Sequence, residues 1–280
     1  MTNYSLHIGV NITDRSQYPE PFQELSACVN DARAFDAIAA DENFDRRSLH
    51  DEQANSTAVL TTLRSLSEKL APGDLLLLTY SGHGAQVPSG LDDAEIDRND
   101  ETWVLYDRQL LDNELWRAWS LFKSGVRILL MSDSCHSGTI ARRSAQSVIP
   151  LPGSSAPFPV GALSRRMPDS ARDRDFHDRA HLYAEVAAKV PPVGDVPVRA
   201  TVLLFVACSD NETALEVDGH GIFTRAFLDV WDSGSFGGSY VDLFAKVKER
   251  VIERVQGQTP NYLPLGREDF TFEALRPFAT

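Results

Sequence analysis

The sequence predicts an α/β domain: a central, mostly parallel sheet of about six strands flanked by helices. Three observations predict it. Asp74–Tyr80, Arg127–Met131 and Thr201–Cys208 are short, almost wholly apolar runs, the form of strands buried on both faces. These runs alternate with segments of helical period, as βαβ units do. Two of them stop abruptly at small and reactive residues, Ser81-Gly82-His83-Gly84 and Ser132-Asp133-Ser134-Cys135-His136-Ser137-Gly138. Open α/β sheets bind their ligands at the carboxyl ends of such strands.

In chain order, Ser5–Val10 reads as the first strand. A helix follows over 25–40, with Leu25, Val29, Ala32, Phe35 and Ile38 on one face. Phe44–His50 is a more polar strand, suited to a sheet edge. Ser56–Leu70 is a helix with Ser56 as its N-cap and Val59, Leu60, Leu63, Leu66 and Leu70 as its buried stripe. Pro72-Gly73 ends it before the Asp74 strand. Pro88–Glu101 is an acidic loop, Trp103–Tyr106 a short strand or hairpin arm, and Asp112 the cap of a helix reaching about Phe122. After the Arg127 strand the pattern breaks. Residues 142–199 hold eight of the fifteen prolines and clusters of Arg, Ser and Asp, with one short helix near Arg179–Lys189. So long a stretch with so little pattern reads as a functional or mobile insertion. Order resumes at Thr201, with helices over 223–231 and 240–255 and a return to the sheet edge at Gln258–Leu265. One domain over 1–280 results: a first half to 141, a Pro/Arg-rich linker over 142–200, and a second half from 201.

Composition narrows the function. No apolar run approaches the roughly 20 residues that span a bilayer, and the N-terminus lacks the basic start and apolar core of a signal peptide. Cys28, Cys135 and Cys208 are too far apart to give a disulfide framework or zinc-ligand spacing, which predicts a reducing, cytoplasmic setting. A net charge of -13 argues against a nucleic-acid partner and is compatible with a cationic substrate.

If the Asp74 and Arg127 strands are parallel neighbours, Cys135 and His83 emerge side by side. That makes a candidate nucleophile and general base. His83 precedes Cys135 by 52 residues, the order and spacing of caspase-type peptidases. A lone cysteine is more often a small buried hydrophobe, but this one follows a strand among Ser and Gly. The amides of Gly84 and Cys135 are candidate oxyanion donors. Gly84 and Gly138 would let backbone approach a substrate closely. His136 is poorly placed as base, since adjacent residues in extended chain point apart. A metal site from Cys135, His136 and His83 lacks a fourth ligand, and Gly-His-Gly is too short for a phosphate loop.

These blocks resemble the signature segments of metacaspases and bacterial orthocaspases, which are caspase-fold cysteine proteases. Tyr80–Gly84 and Asp133–Gly138 carry the resemblance. Three other segments agree: residues 28–32 (CVNDA), 207–214 (ACSDNETA) and 219–224 (GHGIFT). The resemblance implies a caspase-like fold and a Cys-His dyad that cuts after Arg or Lys. It implies an acidic S1 pocket with Asp31 and Asp133 as carboxylates and Cys28 and Ser81 as lining. A guanidinium entering a dry pocket requires such anionic partners. Carboxylates near a thiol disfavour the thiolate, so an arriving arginine would ease proton transfer from Cys135 to His83.

The resemblance also implies protein or peptide substrates with exposed Arg or Lys, and a monomer. Many metacaspases need calcium. Asp100, Asp112 and Asn113 match part of that site, and Asp92, Asp93, Glu95 and Asp97 add oxygens nearby. Asn113 stands where a second carboxylate is usual and Arg142 where an aspartate is, so no cofactor is expected to be required. An Arg-cutting protease needs restraint. The linker offers Arg142, Arg143, Arg165, Arg166, Arg172, Arg174 and Arg179 as processing sites for the enzyme itself or an upstream protease. Exposed, loosely packed chain is nicked most readily, and this linker could block the acidic pocket with one of its own arginines. The alternative class is a silent caspase-fold scaffold or partner-binding module; the intact dyad argues against it.

Overall fold

The computed structural model describes residues 2–18, 20–88, 99–135, 158–191, 194–209 and 212–279. A six-stranded sheet forms the centre. Its strands are β1 (Asn3–Gly9), β2 (Asp45–His50), β3 (Leu75–Ser81), β7 (Arg127–Asp133), β9 (Thr201–Val206) and β12 (Asn261–Gly266), in the spatial order β12-β9-β7-β3-β1-β2. All neighbours are parallel except β12 and β9. The polar strand β2 lies at one edge and the C-terminal strand β12 at the other, as their sequences predict.

Alternation along the strands divides the core into two layers. Leu76, Leu78, Ile128, Leu130, Val202 and Leu204 face one side. There they meet α2 (Ser56–Lys69) through Val59, Leu63 and Leu66, and α3 (Asp112–Ser120) through Leu115 and Trp119. Leu75, Leu77, Leu129, Met131, Leu203 and Phe205 face the other side. They meet α1 (Cys28–Asp41) through Phe35 and Ile38, and two helices of the second half, α6 (Ile222–Trp231) and α7 (Tyr240–Arg254), through Phe223, Phe227, Leu243 and Val247. Both faces are therefore dry. That is why the central strands read as unbroken apolar runs rather than as alternating ones.

Two small sheets sit beyond the carboxyl ends of the central strands. β4 (Gly84–Pro88), β5 (Asn99–Val104) and β6 (Gln109–Leu111) form an antiparallel meander; β8 (Leu163–Ser164), β10 (Leu215–Val217) and β11 (His220–Gly221) form the other. β6, β8, β10 and β11 have only two or three residues each and so show no period-2 signature, while β5 begins inside the stretch expected to be an acidic loop. Two caps also differ from expectation. Asn55, not Ser56, caps α2 by accepting from the Ala58 amide at 2.9 Å, while Ser56 is held by the Asp107 carboxylate at 2.7 Å. Asp112 is the first residue of α3 rather than its cap.

The linker departs most from expectation. Between residues 158 and 191 it forms defined elements tied down by a few buried anchors. Arg165, Met167, Ala171, Asp175 and Tyr183 are all buried. Besides α5 (Ala180–Lys189) it holds a second helix, α4 (Asp169–Asp178). The α4 sequence DSARDRDFHD buries only Ala171 and Asp175, so it offers no apolar stripe. Polar contacts dock it instead. The Asp175 carboxylate accepts from Gln109 Nε2 at 2.7 Å and Tyr183 Oη at 2.6 Å and pairs with Arg179. Arg179 also donates to the Asp107 carbonyl and lies over the Tyr18 ring, 4.7 Å from its centroid. Arg172 and Arg174 lie on α4 and Arg179 is pinned between the two helices, so none has the extended, accessible chain expected of a processing site. Arg142 and Arg143 fall outside the described residues. Among the described residues no helix is long and apolar enough to cross a membrane.

Candidate active site

Strands β3 and β7 pair in register, with Ser81 opposite Asp133. The chain continues two residues beyond each to His83 and Cys135, so strand pairing brings the two together across the end of the sheet. Both side chains are buried. His83 Nε2 lies 2.7 Å from the carbonyl oxygen of Gln23. A carbonyl only accepts, so Nε2 must carry the proton and Nδ1 keeps its lone pair. Nδ1 has no hydrogen-bond partner among the described residues. Burial lowers the His83 pKa to about 4, leaving the ring neutral near pH 7. Its backbone is clamped by Tyr80, whose hydroxyl donates to the His83 carbonyl at 2.7 Å and whose ring stacks on Trp103. Phe22 stands edge-on to the imidazole at 5.2 Å. Cys135 Sγ accepts from the Ala214 amide at 3.1 Å.

The acidic pocket lies beside this pair and is filled by the chain itself. Arg165 is 0% exposed. Its Nη2 lies 2.6 Å from Asp31 and 3.3 Å from Glu216, and its Nη1 lies 2.9 Å from both a carboxylate oxygen and the carbonyl oxygen of Asp133. The carboxylates are themselves positioned. Asp31, near the start of α1, accepts from Ser81 at 2.8 Å and from the Gly221 amide, and meets His220 Nδ1 at 2.8 Å. Asp133, at the end of β7, accepts from the Thr224 amide and hydroxyl at 2.9 and 2.7 Å. Glu216 accepts from the Ser26 amide at 2.7 Å and from the Cys28 thiol. Arg165 and these hydrogen bonds hold the Asp31 pKa below its ordinary value despite burial, whereas burial raises that of Asp133. Burial also pushes the Cys28 thiol well up. A side chain at Gly221 would strike Asp133 and Arg165, so only glycine leaves room for this ion cluster.

The backbone around Arg165 runs as an extended strand through the site. Leu163 and Ser164 pair antiparallel with Glu216 and Leu215, and the Arg165 amide donates to the Ala214 carbonyl at 2.9 Å. The Gly84 amide donates to the Arg165 carbonyl at 2.9 Å, and the Met167 amide donates to the Gly84 carbonyl at 3.0 Å. A Cβ on Gly84 would come within 1.8 Å of the Cys135 carbonyl oxygen, so this close crossing requires glycine. The carbonyl of Arg165 thus rests on the amide next to His83, and the bond from Arg165 to Arg166 follows.

The structure brings Cys28, Asp31, Ser81, His83, Gly84, Asp133, Cys135 and Arg165 into one site. His136 and Gly138 lie outside the described residues, as do Asp92, Asp93, Glu95, Asp97 and the side chain of Asp100. Asp112 and Asn113 open α3. Sequence reasoning missed Glu216 and Gln23. Glu216 is a lone charge in the short run Ala214–Val217, which was its only signal. Gln23 acts through its carbonyl, which every residue has.

Comparison with known proteins identifies the family. The caspase domain family matches residues 11–270. Metacaspase-8 of Arabidopsis thaliana is 29% identical over 159 residues, 53% of this chain and 40% of its own length. Metacaspase-1 of Ajellomyces capsulatus is 24% identical over 271 residues, 82% of this chain and 72% of its own length. This chain spans only 36 to 40% of the plant metacaspases it matches. The crystal structure of protein GSU0716 from Geobacter sulfurreducens is similar over 99% of this chain and 98% of that one, with a TM-score of 0.84 and 33% identity. With its six-stranded sheet, its two strand-end motifs and a family match over nearly its whole length, the chain belongs to the caspase domain family.

Proposed function

We propose that this protein is a cysteine endopeptidase that cuts after arginine, and that the intact chain is its resting form, with Arg165 standing where a substrate's arginine would. One observation carries the reading. A fully buried guanidinium meets three carboxylates while its own carbonyl accepts from the Gly84 amide. A buried ion cluster is costly to assemble and seldom the most stable way to fill a core. Its occurrence beside a Cys-His pair supports a recognition role. The two-sided contact also favours arginine over lysine, whose single ammonium cannot reach partners on both sides.

The chemistry follows. His83 Nδ1 takes the proton of Cys135 as the sulfur attacks the carbonyl carbon after the pocket-bound arginine. The Gly84 amide, with that of Cys135, holds the oxyanion. His83 returns the proton to the departing amine, and water, activated by the same ring, hydrolyses the thioester. Applied to its own chain, this cleaves Arg165 from Arg166. The halves stay joined through the shared sheet, since β9 pairs directly with β7 and β12 with β9. Substrates in trans are proteins or peptides with exposed arginines.

The test is to purify the chain and its Cys135→Ala variant and offer each an Arg-containing and an Asp-containing fluorogenic peptide. The parent should hydrolyse only the arginine peptide and show a cut at Arg165-Arg166 by mass spectrometry; the variant should do neither. Activity retained in the variant, or equal turnover of both peptides, would falsify the proposal.

A further inference from the structure

Arg165 and Met167 lie two residues apart in extended chain, so their side chains leave on the same face of the segment. Arg165 enters the acidic pocket. Met167, 1% exposed, enters an apolar one formed by Tyr18, Ala85 and Val104, with Phe22 packed against it and Ala171 closing it from α4. Between them Arg166 points outward and pairs with the exposed Asp169. Gly84 holds both ends of this short stretch, donating to the carbonyl of 165 and accepting from the amide of 167. The pocket is also joined to the candidate catalytic base: Phe22 touches the His83 ring, and the Val104 amide donates to the His83 carbonyl at 3.0 Å.

We infer that the Tyr18–Phe22–Ala85–Val104 pocket is a substrate subsite that takes an unbranched or γ-branched apolar side chain at the second residue after the scissile bond. This rests on the peptidase reading above and extends it to the leaving side of the substrate. The walls are carbon, apart from the Tyr18 hydroxyl, which is spent on the Leu105 carbonyl at 3.1 Å. A charged side chain there would lose water and gain no partner. Glycine would leave the pocket unfilled. The first residue after the cut, facing solvent as Arg166 does, is not selected. The same subsite distinguishes Arg165 from the other linker arginines, because only the bond after Arg165 has Met two residues on. Cleavage removes the covalent link between Met167 and the pocket-bound Arg165, so that the new N-terminal segment can exchange with substrate.

The experiment uses the full chain after self-cleavage. Quenched peptides of sequence Leu-Ser-Arg-Arg-Y-Pro-Asp, with Y as Met, Leu, Gly or Asp, are compared by kcat/KM, alongside an Arg-coumarin peptide that has no residues beyond the cut. Met and Leu should exceed Gly and Asp by at least about tenfold, the scale that small changes of side chain carry in an apolar pocket. Val104→Ala should shrink that ratio. Equal rates for all four would overturn the inference. So would a ratio untouched by Val104→Ala, or hydrolysis of the coumarin peptide with none of the four cleaved. Those results leave the peptidase reading standing, whereas failure to cleave any arginine peptide removes that reading and the subsite with it.

Discussion

Replacing Arg165 with Met in a Cys135→Ala background removes the guanidinium from a chain that cannot process itself. Asp31, Asp133 and Glu216 then share a dry site with no cation among them. Breaking a buried ion cluster by deleting one partner costs about 3 to 5 kcal/mol, a large part of the roughly 5 to 15 kcal/mol by which domains are stable. With an unfolding entropy of about 2.1 cal/mol/K per residue, a chain of 280 residues should melt roughly 5 to 8 °C lower. The deficit should depend on pH. In the parent, Asp31 titrates below 3.8, so its contribution is complete above that value and is lost only as acid protonates the folded state. Without Arg165 nothing cationic offsets the burial of Asp31 and Asp133, and burial raises both carboxyls above their unfolded values. The folded variant then binds more protons than the unfolded chain, and its stability falls as pH rises. Calorimetry of parent and variant from pH 4.5 to 8 should show a gap that is narrow in acid and widens toward neutrality. A shift below about 1 °C, or one equal at every pH, would refute the buried ion cluster.

Asp31→Ala should lower kcat/KM for arginine peptides at least about a hundredfold, since it leaves the arriving guanidinium short of a partner; steady-state kinetics on the processed enzyme checks this. His83 is neutral in the closed chain, with a pKa of about 4 against 6.5 unfolded, so its contribution is present above pH 6.5 and lost as pH falls toward 4. His83→Gln should flatten that acid loss by up to about 1.4 kcal/mol per pH unit, read from urea melts. Arg179→Ala should free α4 and α5 from Asp107 and Tyr18, seen as faster trypsin cutting within 166–189. Peptidase activity should survive a strong chelator, given Asn113 and the cationic Arg142 where a calcium site would need carboxylates; loss reversed by calcium alone would show otherwise.

The central strands and their order of appearance were legible because burial on both faces leaves only apolar residues to choose from. Leu75–Leu78 and Ile128–Met131 carry that constraint in every position. His83 and Cys135 were legible too, because each follows such a strand directly, and parallel pairing in register then decides where both end. Helix α4 was not, because it docks through Asp175, Gln109 and Tyr183 rather than through an apolar stripe. Strands β6, β8, β10 and β11 were not, since two or three residues define no period. Above all, the seven linker arginines named as processing candidates are equivalent as letters. Only the folded chain separates Arg165 from the rest, through carboxylates 134 positions before it and 51 after it that meet at one guanidinium. Local pattern reports how a residue sits on its own element. It says nothing of contacts made across the end of a sheet by segments far apart in the chain, and the pocket consists of those.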